Sequence, residues 1–153
     1  MTKATDVIRQ LAGKTLVTAE SCTGGGIGAA LTAVSGSSAV YKGGVISYTN
    51  WVKHQVLGVP EEQLNLHGAV SQSVAQEMAK GVRRILEADI AVSVTGLAGP
   101  GGDEFGNPVG TVYIGYADHK SVFARHFLFD GDRESVRQQA IMAALQIILD
   151  QNM

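Results

Sequence analysis

The chain is nearly devoid of cysteine: Cys22 is the only thiol in 153 residues. A lone thiol closes no intramolecular disulfide and frames no zinc site, and it fits a reducing compartment. No run of about 18 apolar residues is present to serve as a membrane span. The N-terminal stretch MTKATDVIRQLAGK lacks the apolar core and small-residue cleavage site of a secretory signal. Together these absences predict a soluble, cytoplasmic protein with no membrane partner. Clustered basic charge is missing too. Twelve Lys and Arg stand against 14 Asp and Glu, and Arg83-Arg84 is the only adjacent basic pair. That distribution excludes the electrostatic footprint of nucleic-acid binding. His54, His67, His119 and His126 show no metal-ligand spacing, so neither a metal nor another cofactor is expected. A small neutral or anionic ligand remains compatible with the composition.

Glycine, by contrast, is abundant: 19 residues, concentrated between Gly24 and Gly28 and between Gly96 and Gly110. With 45% hydrophobic and 17% charged residues, the chain reads as one domain over residues 1–153. Apolar periodicity predicts helices over residues 4–12 and 27–34, a third opened by Ser71 or Ser73, and a last over residues 132–149. Strands are predicted over residues 15–19, 45–48, 90–95, 110–116 and 121–129, the last two forming a hairpin. Thr49 or Asn50 could cap a short helical turn that contains Lys53. These elements predict a three-layer α/β/α sandwich with a mixed, mostly parallel sheet of about five strands.

The first glycine cluster lies in TAESCTGGGIGAA, between a strand and a helix. Gly24-x-Gly26-x-x-Ala29 matches the local part of a dinucleotide fingerprint. The ribose-binding acid about 20 positions on is absent, because no Asp or Glu occurs between Glu20 and Glu61. A phosphate-binding Gly13-Lys14-Thr15 fails as well, since its required earlier glycine falls on Ile8. What survives is a helix N-terminus suited to an anion or a developing oxyanion, or simply a tight turn. The second cluster, TGLAGPGGDEFGNPVG, reads as a long binding loop with Asp103 and Glu104 solvated at its tip.

Between the clusters, GSSAVYKGGVISYTNWVK offers the hydroxyls of Ser37 and Ser38, with Tyr48 and Lys53 as activators. An ammonium in the first turn of a helix, among Trp51, Val52 and Val56, would have its pKa lowered by desolvation and by the helix dipole. A serine with a lysine base is an acyl-transfer arrangement that needs no metal. The alternative for Lys53 is an exposed side chain lying over Trp51. Cys22 reads as packing, and Ser38 as the better nucleophile. Arg133 and Arg137, four apart at the start of the last helix, could clamp a phosphate, or simply pair with Asp130, Asp132 and Glu134.

The motifs TAESCTGG, SGSSAVYKGGVISYTN-x-x-K, HGAVS, SVTGLAGPGGDEFGNPVGTV and GDRESVRQQA together resemble the CinA C-terminal domain family, from about residue 5 to residue 150. The resemblance implies an α/β/α amidohydrolase, commonly dimeric, that needs no metal. Members similar to this chain hydrolyse the carboxamide of nicotinamide mononucleotide in pyridine-nucleotide salvage, so the resemblance implies that activity here. It places the family's serine, tyrosine and lysine on Ser38, Tyr48 and Lys53. The family's ESCTGG serine falls on Ser21. In the mechanism read from these residues, N–H groups of the Ser21–Gly26 turn or of the Thr95–Gly99 loop would stabilise the oxyanion, and Ser21, Thr23, Gly24, Gly25, Asn50, Thr95, Gly96 and Gly99 would contact the substrate, with Arg133 or Arg137 on its phosphate. A small-molecule nucleotide is thus the expected partner, along with a second copy of the chain. The alternative is a non-catalytic nucleotide-binding or protein-interaction module. Trp51-Val52 departs from the small or acidic residues common between that asparagine and lysine.

Overall fold

The computed structural model describes residues 2–153. In chain order the elements are α1 (Lys3–Gln10), β1 (Leu16–Glu20), α2 (Gly26–Thr32), β2 (Tyr41–Ile46), α3 (Asn50–Gln55), α4 (Glu61–His67), α5 (Gln72–Ile85), β3 (Ile90–Gly96), β4 (Thr111–Ala117), β5 (Val122–Leu128) and α6 (Arg133–Gln151). One sheet holds all five strands in the order β2-β1-β3-β4-β5. The β1 strand pairs in parallel with β2 and β3, while β3–β4 and β4–β5 are antiparallel.

Alternation along the central strands separates two cores. Leu16, Val92, Val94, Val112, Ile114 and Tyr116 face α1, α2 and α6. Val17, Ala19, Ala91 and Ala117 face Val74, Met78 and Val82 of α5, with Leu57, Val59 and Leu64 beside them. Each fully buried Leu, Ile or Val contributes about 1.5–3 kcal/mol relative to exposure, so three layers follow from strands that are apolar on both faces. Close approach of α5 depends on Gly115, where an added Cβ would collide with the Ala75 carbonyl. Ser93 Oγ donates to that same carbonyl.

Local capping chemistry sets the helix starts. Thr49 Oγ1 accepts from Val52 N, Ser71 Oγ from Val74 N and Asp132 Oδ1 from Ser135 N, each meeting one otherwise unpaired amide. The β2 strand begins earlier than the apolar pattern indicates, at Tyr41, and ends at Ile46, so Tyr48 lies beyond it. Polar Lys42 and two glycines obscure the strand in the sequence because β2 is an edge with one side solvated. The loop after β3 is more ordered than its glycines suggest. Gly110 N donates to Leu97 O, and Asp103 accepts from the amides of Phe105 and Asn107 and from Asn107 Nδ2. Asp103 therefore organises the loop rather than standing solvated at its tip. Among the described residues no helix is long and apolar enough to cross a membrane.

Candidate active site

The three parallel strands β1, β2 and β3 end on the same edge of the sheet, and their following loops enclose a cleft of about 340 Å³. Such an edge is where open α/β sheets collect functional groups. Ser21 and Cys22 enter from β1; Tyr48, Asn50 and Lys53 from the segment after β2; Thr95, Gly96 and Gly99 from β3 and its loop; and Arg133 from α6. A larger groove of about 560 Å³ lies beside it, but it holds no nucleophile paired with a base, so chemistry rather than size locates the site.

Lys53 forms the floor of this cleft. It is 1% exposed, and its Nζ donates to Ser47 O at 2.7 Å and to Ser21 Oγ at 3.1 Å. Burial lowers its pKa from the ordinary 10.5 to about 8, the field of Cys22 acting weakly the other way. The helix dipole is not the cause: α3 has only six residues, and Lys53 falls in its last turn, where a cation is not opposed. Lys53 is thus a buried amine within bonding distance of a serine hydroxyl, the arrangement a lysine base requires. Its alternative as an exposed side chain over Trp51 is excluded.

That hydroxyl belongs to Ser21, not Ser38. Ser38 is exposed in a 3-10 turn, Ser37–Ala39, at the start of β2. Tyr48 and Lys53 follow the end of β2, and its six residues at ~3.3 Å each put about 20 Å of strand between them. Ser21, 32 residues from Lys53, reaches it because β1 and β2 are parallel neighbours with Glu20 opposite Ile46.

Glu20, passed over in the sequence, fills the anion cradle foreseen at α2. Its Oε1 accepts from Ile27 N at 2.8 Å and Thr23 Oγ1 at 2.7 Å, and its Oε2 from Gly28 N at 3.0 Å. The glycine-rich turn therefore binds its own carboxylate, and Thr23, Gly24 and Gly25 lie outside the cleft lining. Glu20 also sets the floor, since its carbonyl accepts from Ser47 N and Ser47 Oγ. That pair holds the Ser47 carbonyl under Lys53. An acid closing an apolar strand just before a glycine turn is the sequence signal for this self-filled site.

The two arginines separate. Arg133 is exposed at the cleft mouth and donates to Gly99 O at 2.6 Å and Tyr48 Oη at 3.1 Å. Arg137 turns away from the cleft lining toward the carbonyls of Cys22 and Thr23. Tyr48 therefore bonds Arg133, and no hydrogen bond joins it to Lys53 or Ser21 among the described residues. Cys22 is buried, its thiol pushed up to about 11 by desolvation, which disfavours the nucleophilic thiolate. Trp51 points outward, 68% exposed, so the Trp51-Val52 departure leaves the cleft lining untouched.

Comparison with known proteins agrees with this architecture. The CinA C-terminal domain model matches residues 2–152. The chain is 48% identical over 134 residues to a nicotinamide-nucleotide amidohydrolase, PncC, of Pseudomonas putida, covering 88% of this chain and 84% of that one. It is 47% identical to a CinA-like protein of a Synechococcus strain, of whose length it spans 35%. A crystal structure of a CinA superfamily protein from Klebsiella pneumoniae superposes with a TM-score of 0.95 at 39% identity, covering 97% of this chain and 94% of that one. The crystal structure of a competence/damage inducible protein from Agrobacterium tumefaciens does so at 0.92 and 37%, covering 100% of this chain and 98% of that one. By fold, motifs and matched length, the chain belongs to the CinA C-terminal domain family.

Proposed function

We propose that this protein is an amidohydrolase that converts nicotinamide mononucleotide to nicotinate mononucleotide and ammonia in pyridine-nucleotide salvage. The observation that carries the reading is the buried Lys53 amine, with a pKa near 8, at 3.1 Å from Ser21 Oγ. Burial that lowers the amine's pKa supplies free base near neutral pH, which a general base needs and a binding module does not. The PncC relative supplies the substrate class.

In this mechanism Ser21 Oγ attacks the carboxamide carbon while neutral Lys53 accepts its proton. Collapse of the tetrahedral adduct breaks the C–N bond, and Lys53 returns the proton to the departing ammonia. Water then attacks the Ser21 ester, giving its proton to Lys53, which passes it back to Ser21 as the acid leaves. Tyr48 orients Arg133, and Asn50 and the Thr95–Gly99 segment wall the cleft.

Ammonia release measured with nicotinamide mononucleotide, its riboside, nicotinamide and NAD tests the function. The mononucleotide should be the preferred substrate, and no ammonia from any of the four would refute it. Binding of the mononucleotide in a calorimeter without turnover would favour the binding module.

Arg133 and Lys53 are the two cations lining the cleft, and Lys53 is committed to the floor. Arg133 is therefore the phosphate partner. Charge-assisted hydrogen bonds contribute about 1.5–3 kcal/mol, so Arg133→Met should raise KM roughly 10- to 150-fold with kcat nearly unchanged, the signature of uniform binding. Steady-state kinetics with the riboside, which has no phosphate, should show no such change.

Ile46, Tyr48 and Trp51 are 56%, 59% and 68% exposed near the cleft mouth. An apolar rim of this kind favours burial against another surface, and the reading includes self-association of the chain there in the cytoplasm. Light scattering should return at least twice the 16.0 kDa chain mass; a monomer mass at micromolar concentration would exclude it.

A further inference from the structure

We propose that the Tyr48 ring is a platform for a permanently cationic pyridinium, so that charge on the heterocycle selects the substrate along with the phosphate; this rests on the amidohydrolase reading of the same cleft. The pyridine nitrogen of nicotinamide mononucleotide carries the ribose and is quaternary. A positive ring must therefore enter a cleft whose charged lining residues, Lys53 and Arg133, are both cations. Among the described residues no Asp or Glu lines it, and Asp103 and Glu104 border the adjoining cavity instead. Tyr48 is the one aromatic residue on the cleft lining. Its π face attracts a cation held within about 6 Å of the ring centroid.

Position selects Tyr48 as well as chemistry. Ser21 and Lys53 fix the reacting carboxamide at the floor and Arg133 takes the phosphate at the mouth, so the heterocycle lies in the span between them. Tyr48 stands at that span, its Oη accepting from Arg133 Nη2 at 3.1 Å while Arg133 Nη1 donates to Gly99 O at 2.6 Å. One guanidinium thus ties the segment after β2 to the loop after β3 across the mouth. A tyrosine that is 59% exposed would otherwise turn freely. Holding it before substrate arrives lowers the ordering cost of binding. Trp51 is more exposed still, but it lies outside the cleft lining.

The two cations make the platform discriminating. Lys53 and Arg133 both repel a pyridinium, and the phosphate answers only Arg133, so the ring face supplies the attraction that the positive heterocycle needs. An uncharged ring of the same size keeps the apolar contact and the phosphate but gains nothing from the quadrupole. The substrate class is thereby narrowed to phosphorylated N-ribosyl pyridinium carboxamides, and nucleotides whose carboxamide sits on an uncharged heterocycle are disfavoured.

Nicotinamide mononucleotide and its dihydropyridine form, alike except for the ring charge, separate charge from shape. Both carry the phosphate, so any displacement of Arg133 in a variant cancels in their ratio. Donation from its ring nitrogen deactivates the dihydropyridine carboxamide, which is therefore measured as a competitive inhibitor of ammonia release, its Ki set against the KM of the cation. Wild-type protein should favour the cation by about 5- to 30-fold. Tyr48→Leu, a change at an exposed position that leaves folding intact, should cut that preference to about twofold or less. Tyr48→Phe keeps the ring without the bond to Arg133 and should retain most of the preference. Equal affinity for the two forms in the wild type, a preference intact in Tyr48→Leu, or one lost alike in Tyr48→Phe and Tyr48→Leu would overturn the platform. Loss of the preference in Glu104→Gln would overturn it too, by placing the counter-charge on that carboxylate. A wild-type protein that releases no ammonia removes the amidohydrolase reading itself; calorimetric titration with the same two forms then decides the platform by the same ratios.

Discussion

Replacement of Lys53 by methionine should abolish ammonia release and make the protein more stable at neutral pH. Loss of the base removes proton transfer in both half-reactions, so kcat should fall by about 10³-fold or more. Stability moves the other way because Lys53 is charged at pH 7 and buried. Its pKa falls from 10.5 in a free side chain to about 8 here, a cost of about 3 kcal/mol to the folded state when both states are protonated. Methionine fills similar volume without the charge but leaves Ser47 O unpaired, which takes back about 1–2 kcal/mol. A net gain of roughly 1–2 kcal/mol should appear as a melting temperature about 2–8 °C higher.

The pH dependence has a defined sign. Between about pH 8 and 10.5 the folded protein has released the Lys53 proton while the unfolded chain still holds it. The unfolded state then binds more protons, and wild-type stability rises with pH across that window. The advantage of Lys53→Met should therefore be complete below pH 8 and shrink toward pH 10.5. Below that window the wild-type kcat/KM should rise tenfold per pH unit up to about pH 8, and within it level off, as free amine accumulates. Thermal melts and initial rates across pH 6–10.5 check both. A variant no more stable than wild type at pH 7, or a flat rate profile, would sink the assignment of Lys53 as a buried base.

What the sequence disclosed and what it hid differ by range. The caps of α3 and α5 were legible to within two residues, as Thr49 or Asn50 and as Ser71 or Ser73, because a cap acts within three residues of itself; the structure uses Thr49 and Ser71. The strands β3, β4 and β5 were legible because alternation and a tight hairpin are local. Lys53 stood out through its apolar neighbours, and eight predicted residues, Ser21, Tyr48, Asn50, Lys53, Thr95, Gly96, Gly99 and Arg133, do line one cleft. Hidden was the consequence of strand direction. Ser38 is near Lys53 in sequence, yet β2 runs between them and carries them to opposite edges of the sheet. Glu20 and Arg137 were misread or missed for a related reason. A carboxylate that binds its own helix start and a guanidinium that binds main-chain carbonyls serve partners that residue type does not reveal.

Ser21→Ala and Ser38→Ala should accordingly behave in opposite ways. Removing a nucleophile from a unit that works with its base costs three orders of magnitude or more, roughly what removing the base costs, and the two losses do not add. Ser21→Ala should therefore fall at least ~10³-fold in kcat, and the Ser21→Ala/Lys53→Met double variant should be hardly slower than either single one. Ser21 Oγ is also an acceptor for Lys53 Nζ, so its loss leaves the amine with Ser47 O alone and further disfavours the charged form. Ser38 makes no side-chain contact with the cleft and is exposed, so Ser38→Ala should keep its rate within about twofold and its stability within ~0.5 kcal/mol. Initial rates of ammonia release for the four proteins decide the matter. Full activity in Ser21→Ala with loss in Ser38→Ala would require the reacting amide to sit at the far edge of the sheet. There Ser38 would have no buried lysine beside it, and the chemistry would need another base.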